Sequence, residues 1–158
     1  MKFHIAILVF IISILGISSC KSDGPVPLKP NSNTPYQTTV YPFIQPPFFP
    51  EVELSVENPM TVEGVALGRM LYYDPIMDKT GTRSCSSCHH QDKSFQIDNG
   101  SSQVVPHINM AWSNRFMWNG GFEGSLEDVM LFEVDVFFET DISKLNANSG
   151  YRTLFKNA

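Results

Sequence analysis

Cysteine is scarce in this chain, with three among 158 residues, so a disulfide framework does not organise the fold. Basic residues are also few: 11 Lys and Arg stand against 16 Asp and Glu. Because nucleic-acid affinity comes largely from cationic side chains on phosphates, this balance argues against a nucleic-acid partner. Strong polar–apolar alternation and internal repeats are also missing, which favours a mostly α fold.

The N-terminus has the parts of a bacterial signal peptide: a basic Lys2, an apolar run, and the small Ser18 and Ser19 before Cys20. The run is too short and wrongly flanked for a spanning helix. The Ser-Ser-Cys end resembles a lipobox, in which the cysteine becomes the lipidated first residue. We therefore predict a lipoprotein signal peptide over residues 1–19 and a lipid anchor on Cys20, with the chain on the periplasmic side of the cell envelope. An ordinary signal peptide with a chance cysteine and a retained anchor helix are the alternatives.

Residues 20–50 are predicted to form a tether, since eight of the eleven prolines fall there. Such proline density favours extended backbone without internal hydrogen bonds. Four of the last ten residues of this segment are aromatic, and this part is expected to lie against the folded domain. That domain is expected to span residues 51–158.

Helix signals recur through this domain, separated by long loops. Thr61 is a suitable N-cap for a helix that Pro75 stops. Ser125 with Asp128 resembles a capping box that opens a second helix. Thr140 is expected to cap a third. The predicted fold is therefore mostly α, with motifs carried on short helices and in loops.

Two of the three cysteines form the motif Cys85-Ser-Ser-Cys88-His89. A thioredoxin-like dithiol needs a βαβ setting, which is missing here. Structural zinc needs four ligands, and adjacent Cys88 and His89 would reach one tetrahedral centre with difficulty, even with His107 as the fourth. Both are weaker interpretations of the motif.

Covalent haem attachment explains each residue of the motif, because Cys-x-x-Cys-His is the signature of c-type haem. Two sulfurs on one helical turn can bond the two vinyl groups, and His89 then projects its imidazole at the iron. We predict one covalently bound haem c, with Cys85 and Cys88 as attachment points and His89 as proximal ligand. His90 is too close to His89 to reach the opposite face of the iron, so it is expected to be solvated or to face a propionate.

Further motifs flank the pentapeptide in a fixed order. Three motifs precede it: Leu-Gly-Arg within a predicted helix, Asp-Pro, and Gly-Thr-x-Ser directly before the pentapeptide. Their residues are Leu67, Gly68 and Arg69, then Asp74 and Pro75, then Gly81, Thr82 and Ser84. After it stand a Trp-x-Gly segment and a Ser-Leu-Glu helix start: Trp118, Gly120, Ser125, Leu126 and Glu127. In this order they resemble the N-terminal cytochrome c-like haem domain of bacterial di-haem cytochrome c peroxidases and the related methylamine-utilisation di-haem enzymes. The resemblance covers about residues 57–158.

The resemblance implies an oxidoreductase that reduces hydrogen peroxide to water with electrons from a small donor protein such as a cytochrome c or cupredoxin. In the family the N-terminal haem is the peroxide site, and a second haem domain receives the electrons. Trp118 matches the tryptophan between the haems, although a core role is the alternative. Glu139 falls at the position of a glutamate near the peroxide pocket, although a surface acid is the alternative.

The resemblance leaves the sixth iron ligand open. Some family members use a distal histidine, and His107 is the one histidine far enough from His89 to serve. Met110 and Met117 are alternatives that are more often core residues.

The sequence also departs from the family pattern. Asn119 and Gly121 replace an aspartate and an arginine, and no second Cys-x-x-Cys-His occurs. The chain also stops at Ala158 within an apparent helix, so the haem domain looks incomplete at its C-terminus. We therefore interpret the chain as the first half of a peroxidase, and activity of this half alone is in doubt because the second haem domain is missing. A mono-haem electron-transfer lipoprotein and a lipoprotein without haem are the alternatives.

Overall fold

The computed structural model describes residues 37–97 and 104–158, which all belong to one unit, Asn33–Ala158. The predicted signal peptide, the predicted lipidation site Cys20 and residues 21–36 of the predicted tether lie outside the described residues. Across the two described ranges, every helix is too short or too polar to cross a membrane.

Helices dominate the described part of the chain. It contains α1 to α4, which span Val62–Tyr73, Leu126–Phe132, Ile142–Ala147 and Ser149–Asn157. Short 3₁₀ turns lie between them, at Pro75–Met77, Cys85–Ser87, Gln91–Lys93 and Met110–Trp112. Strands β1 and β2, Arg115–Phe116 and Phe122–Glu123, pair antiparallel. The mostly helical fold predicted from the sequence is confirmed.

Helix α1 has the predicted limits. The Thr61 hydroxyl oxygen accepts a hydrogen bond from the Gly64 N–H at 2.8 Å, which satisfies a free donor of the first turn. The helix ends at Tyr73 because Asp74, which precedes a proline, is extended. The Asp74 carboxylate then accepts from the Ile76 N–H at 2.8 Å and starts the next turn.

Helix α2 begins with the predicted capping box. The Asp128 N–H donates to the Ser125 hydroxyl at 3.1 Å, and the Ser125 N–H donates to the Asp128 carboxylate at 2.9 Å. After Phe132 the helix widens into a π-helical segment, Glu133–Phe137, in which the Phe138 N–H donates to the Glu133 carbonyl at 2.8 Å. Segments of this kind often lie at functional sites.

The predicted cap at Thr140 is wrong. Asp141 caps α3 instead, because its carboxylate accepts from the Ser143 N–H at 2.9 Å. The Thr140 hydroxyl donates to the Met77 carbonyl at 2.8 Å, 63 residues away in sequence. Thr140 therefore joins α3 to the turn after α1.

The core lies where α1, α3 and α4 meet. Leu67, Leu145 and Tyr151 are its buried members, and Leu71, Ile76, Met77 and Leu154 pack around them. The Tyr151 hydroxyl donates to the Asp74 carboxylate at 2.7 Å, which ties α4 to the end of α1. The core therefore fixes the helix that precedes the Cys-x-x-Cys-His motif.

The second half of the predicted tether contacts the domain at two places. The Val62 N–H donates to the Thr39 carbonyl at 2.8 Å, next to the start of α1. At the other end, the Trp112 indole N–H donates to the Pro50 carbonyl at 2.8 Å, and its ring lies 4.6 Å from that of Phe49. These contacts hold residues 39–50 along the domain.

Candidate functional site

The Cys-x-x-Cys-His motif forms one tight turn packed against α1. The Ser84 N–H donates to the Ser87 hydroxyl at 2.8 Å and closes the start of the turn. The N–H groups of Cys88 and His89 both donate to the Cys85 carbonyl, at 3.2 and 2.9 Å. Cys85 and Cys88 are half-buried free thiols. One backbone turn therefore carries both sulfurs and the adjacent imidazole.

A second loop orients the His89 ring. Its Nδ1 lies 2.9 Å from the Phe95 carbonyl oxygen. Residues 90–96 fold back to place this carbonyl: the Phe95 N–H donates to the His90 carbonyl at 2.7 Å, and Ser94 and Phe95 both have positive φ, 59° and 58°. Histidines that bind metals commonly donate their other N–H to a carbonyl in this way. The ring also forms a backbone hydrogen bond with Val105. With Nδ1 directed at Phe95, a metal would be bound through Nε2.

The ionisation of these groups suits metal ligation by His89 and argues against dithiol redox chemistry by the cysteines. Burial raises the pKa of the Cys85 thiol to about 11, and the Glu133 charge adds to the effect. Reactive redox cysteines need a lowered pKa instead. Burial lowers the pKa of His89, which favours the neutral imidazole that a metal ligand must be.

The donor set therefore fits a covalently attached haem. Two unpaired thiols lie on one turn, and a neutral imidazole with an oriented Nδ1 follows them directly. Across residues 37–97 and 104–158, no group of three or more His, Cys, Asp or Glu side chains is placed to hold a metal ion.

His107, the predicted candidate for a distal ligand, lies against the flank of His89. The two rings stack with centroids 3.4 Å apart and an interplanar angle of 18°. That spacing is van der Waals contact, so no porphyrin plane fits between the rings in this arrangement. Burial, with the nearby His89, lowers the pKa of His107 to about 4. A cavity of about 460 Å³ borders His107, Tyr72, Phe95 and Arg69, and His89 does not line it.

Trp118 lies in the turn between β1 and β2 and is 62% exposed, so it is not a core residue. The turn is closed by the Gly120 N–H, which donates to the Met117 carbonyl at 3.1 Å. Asn119, which departs from the family pattern, accepts from the Gly121 N–H at 2.9 Å through its side chain. The departures therefore stabilise the tight turn that displays the indole.

Glu139 is exposed and paired with a cation. Its carboxylate lies 2.5 Å from the Lys79 ammonium group, and the Lys79 N–H donates to the Phe138 carbonyl at 2.8 Å. Its φ of 47° is left-handed, a conformation that is uncommon outside glycine. The pair connects the end of the π-helical segment to the loop that leads into the motif.

Sequence reasoning missed the residues that order that loop. Asp78 is fully buried, and its carboxylate accepts from the N–H groups of Thr80 and Thr82 at 3.2 and 3.1 Å. Arg83 donates to the same carboxylate and to the Phe137 carbonyl, and its guanidinium lies 4.9 Å from the Phe137 ring centroid. An acid followed within five residues by two threonines and an arginine is the local signal that could have indicated this loop.

Glu133 was also missed. It is half-buried at the start of the π-helical segment, and burial raises its pKa. Its charge acts on the Cys85 thiol. No periodic or spacing signal marks it, because its position depends on how the segment packs against the motif.

Comparison with known proteins agrees with this geometry. Residues 62–158 match the family described as di-haem cytochrome c peroxidase. The chain is similar to the methylamine utilization protein MauG of Methylorubrum extorquens, at 32% identity over 119 residues, which is 64% of this chain and 33% of that protein. It is also similar to the cytochrome-c peroxidase IdrP1 of Denitromonas iodatirespirans, at 30% identity over 45% of this chain and 22% of that protein.

A solved structure has the same fold. It is the crystal structure of a MauG-like protein associated with microbial copper homeostasis, with a TM-score of 0.58 and 27% identity, and the match covers 73% of this chain and 39% of that one. The chain thus spans about a third of the length of the MauG proteins it matches. The match to the family extends over most of the folded domain and includes the haem-attachment motif. The chain therefore belongs to the di-haem cytochrome c peroxidase family.

Proposed function

We propose that this chain is the peroxide-side haem domain of a di-haem peroxidase. In the proposed reaction one hydrogen peroxide takes up two electrons and two protons and gives two waters. The electrons come from a small redox protein such as a cytochrome c or cupredoxin. Since these 158 residues hold a single Cys-x-x-Cys-His, we propose that a separate domain carries the electron-receiving haem.

One observation supports this proposal above the others. His89 follows the two thiols on one turn, and with its Nδ1 directed at the Phe95 carbonyl, its Nε2 would be the nitrogen that binds iron. Cys85 and Cys88 would hold the haem through thioether bonds. Haem, when bound, supplies the iron at which peroxide is reduced.

Glu139 is proposed to move the peroxide proton between the two oxygens, which is general acid–base work. The ion pair with Lys79 holds the carboxylate at the loop that leads into the motif. Glu133, the half-buried carboxyl beside Cys85, is a second candidate for the same task. Trp118 is proposed as the electron path, and its exposed indole suits contact with the second haem domain.

The test is exogenous ligand binding to the matured, haem-loaded protein. Cyanide added to the activated form should shift the Soret band, because a peroxide site needs an open or weakly held sixth position. A spectrum that stays low-spin and is unmoved by cyanide or peroxide would instead support the mono-haem electron-transfer alternative and contradict the proposal.

We also propose that Cys20 is the lipid-bearing N-terminus of the mature protein, anchored at a membrane on the periplasmic side. The Ser-Ser-Cys sequence at the end of the apolar run supports this. Cys20→Ser should move the protein from the membrane fraction to the soluble fraction, whereas Ser22→Ala should leave it with the membrane. An unchanged distribution of the Cys20 variant would contradict the anchor.

A further inference from the structure

The His89 ring has two backbone contacts: its Nδ1 lies 2.9 Å from the Phe95 carbonyl oxygen, and Val105 also forms a backbone hydrogen bond with the ring. Hydrogen bonds of this kind set where the ring nitrogens point. Packing against the ring face adds a restraint on the ring plane. In the structure the face of the ring is covered by His107, with centroids 3.4 Å apart.

His107 is itself held from two sides. Its Nδ1 lies 3.1 Å from the hydroxyl of Tyr72, which α1 carries. Its backbone N–H donates to the Phe95 carbonyl at 3.4 Å, the same oxygen that His89 Nδ1 contacts. The Tyr72 ring also lies edge-on to Phe95 and to His107, with centroid distances of 6.2 and 6.0 Å. Helix α1, the loop carbonyl and the two imidazoles thus form one connected cluster.

We propose that Tyr72 and His107 are positioning residues for His89: the Tyr72 hydroxyl fixes the His107 ring, and the stacked ring fixes the plane of the haem-ligating imidazole. This inference rests on the proposed role of His89. It assigns His107 to the proximal side, beside the ligand rather than across the metal from it. Groups in contact with a metal ligand tune the metal, so the stack is expected to influence the haem potential.

Three variants of the haem-loaded, full-length protein test the proposal. His107→Phe keeps a flat ring but has no ligating nitrogen, His107→Ala removes the ring, and Tyr72→Phe removes only the hydroxyl. The readouts are the haem midpoint potential and the low-temperature electron paramagnetic resonance spectrum of the ferric cyanide complex, which reports the imidazole plane. Neither readout depends on turnover, and circular dichroism confirms that each variant is folded.

The proposal expects His107→Ala to shift the midpoint potential and broaden the spectrum. His107→Phe and Tyr72→Phe each lose the hydrogen bond between the two side chains but keep the stacked ring. Both should therefore show a smaller shift of the same sign as His107→Ala. If both His107 variants change a low-spin resting spectrum to a high-spin one, His107 ligates iron and the proposal is overturned. Three variants that all match wild type in both readouts would also overturn it. Wild-type protein without covalent haem would overturn the proposed function itself, so the two failures are distinguishable.

Discussion

The Arg83 guanidinium donates two hydrogen bonds to the buried carboxylate of Asp78, from Nε at 2.9 Å and from Nη2 at 2.6 Å. Arg83 also donates to the Phe137 carbonyl at 3.3 Å. One carboxylate therefore orders the loop before the haem motif, and its cation partner joins that loop to the π-helical segment. The carboxylate that orders this loop is fully buried.

Asp78→Asn is predicted to lower the unfolding midpoint of the full chain markedly. The neutral amide removes the charge that Arg83 faces, and its NH₂ group meets the donor N–H groups of Thr80 and Thr82. Thermal unfolding monitored by circular dichroism measures the change. Asp128→Asn is the matched control. This aspartate belongs to the capping box of α2 at an exposed site, so its replacement should lower the unfolding midpoint by less. Equal decreases of the unfolding midpoint in the two variants would show that the buried carboxylate stabilises the fold no more than an exposed helix cap.

The same carboxylate predicts how stability depends on pH. Hydrogen bonds, first that of the Thr80 side chain, hold the pKa of folded Asp78 well below its usual value, which is about 3.9 in an unfolded chain. A lowered folded pKa adds stability that is complete above the unfolded value and is lost as pH falls toward the folded one. The gap in unfolding midpoint between wild type and Asp78→Asn should therefore be constant from about pH 5 to 7 and shrink below about pH 4. A difference in unfolding midpoint that grows as the pH falls would contradict this prediction.

Leu67→Ala is predicted to lower the free energy of unfolding by about 2–5 kcal/mol, because it leaves a cavity in the core. Leu67 is 5% exposed on α1 and packs with Leu145 and Tyr151. Met70→Ala on the same helix is the control, since Met70 is 44% exposed and should change stability by less than about 0.5 kcal/mol. Urea titration followed by fluorescence measures both. If Leu67→Ala lowers the free energy of unfolding no more than Met70→Ala does, Leu67 is not a core residue.

Glu139→Gln is predicted to reduce peroxide turnover by roughly 10²- to 10⁴-fold when the haem-loaded chain is assayed together with the proposed electron-receiving haem domain. The reason is that an amide cannot carry the peroxide proton. Glu123→Gln is the matched control: Glu123 is also exposed and pairs with Arg115 at 2.7 Å, but it lies in the β hairpin. Full turnover in Glu139→Gln together with a loss in Glu133→Gln would reassign the proton transfer to the half-buried carboxyl.

Local signals in the sequence predicted local structure well. The caps at Thr61 and Ser125 formed as expected because each satisfies free N–H groups within its own helix. The end of α1 before Pro75 follows from the steric restriction that a proline places on the residue before it. The haem-attachment turn was predictable for the same reason, since its spacing places both sulfurs on one turn.

Long-range contacts were not predictable from the sequence. Thr140 and Asp141 are both good capping residues, and a bond from Thr140 to Met77 decided between them. Tyr72 reaches His107 across 35 residues, and Arg83 reaches Phe137 across 54. Pairs of this kind depend on how α1 and the π-helical segment pack. The sequence separation allowed His107 to face His89 across a metal. In the structure, packing instead stacks the His107 ring on the His89 ring.

The most direct measurement is the mass of the protein purified after expression with a haem-maturation system. The account predicts the polypeptide mass plus one covalently attached haem, retained under denaturing conditions. Cys85→Ser with Cys88→Ser should lose the added mass, whereas His90→Ala should keep it, because His90 is exposed and its Nε2 lies 3.0 Å from the Ser87 carbonyl oxygen. Bare polypeptide from the wild-type gene under the same conditions would contradict the account.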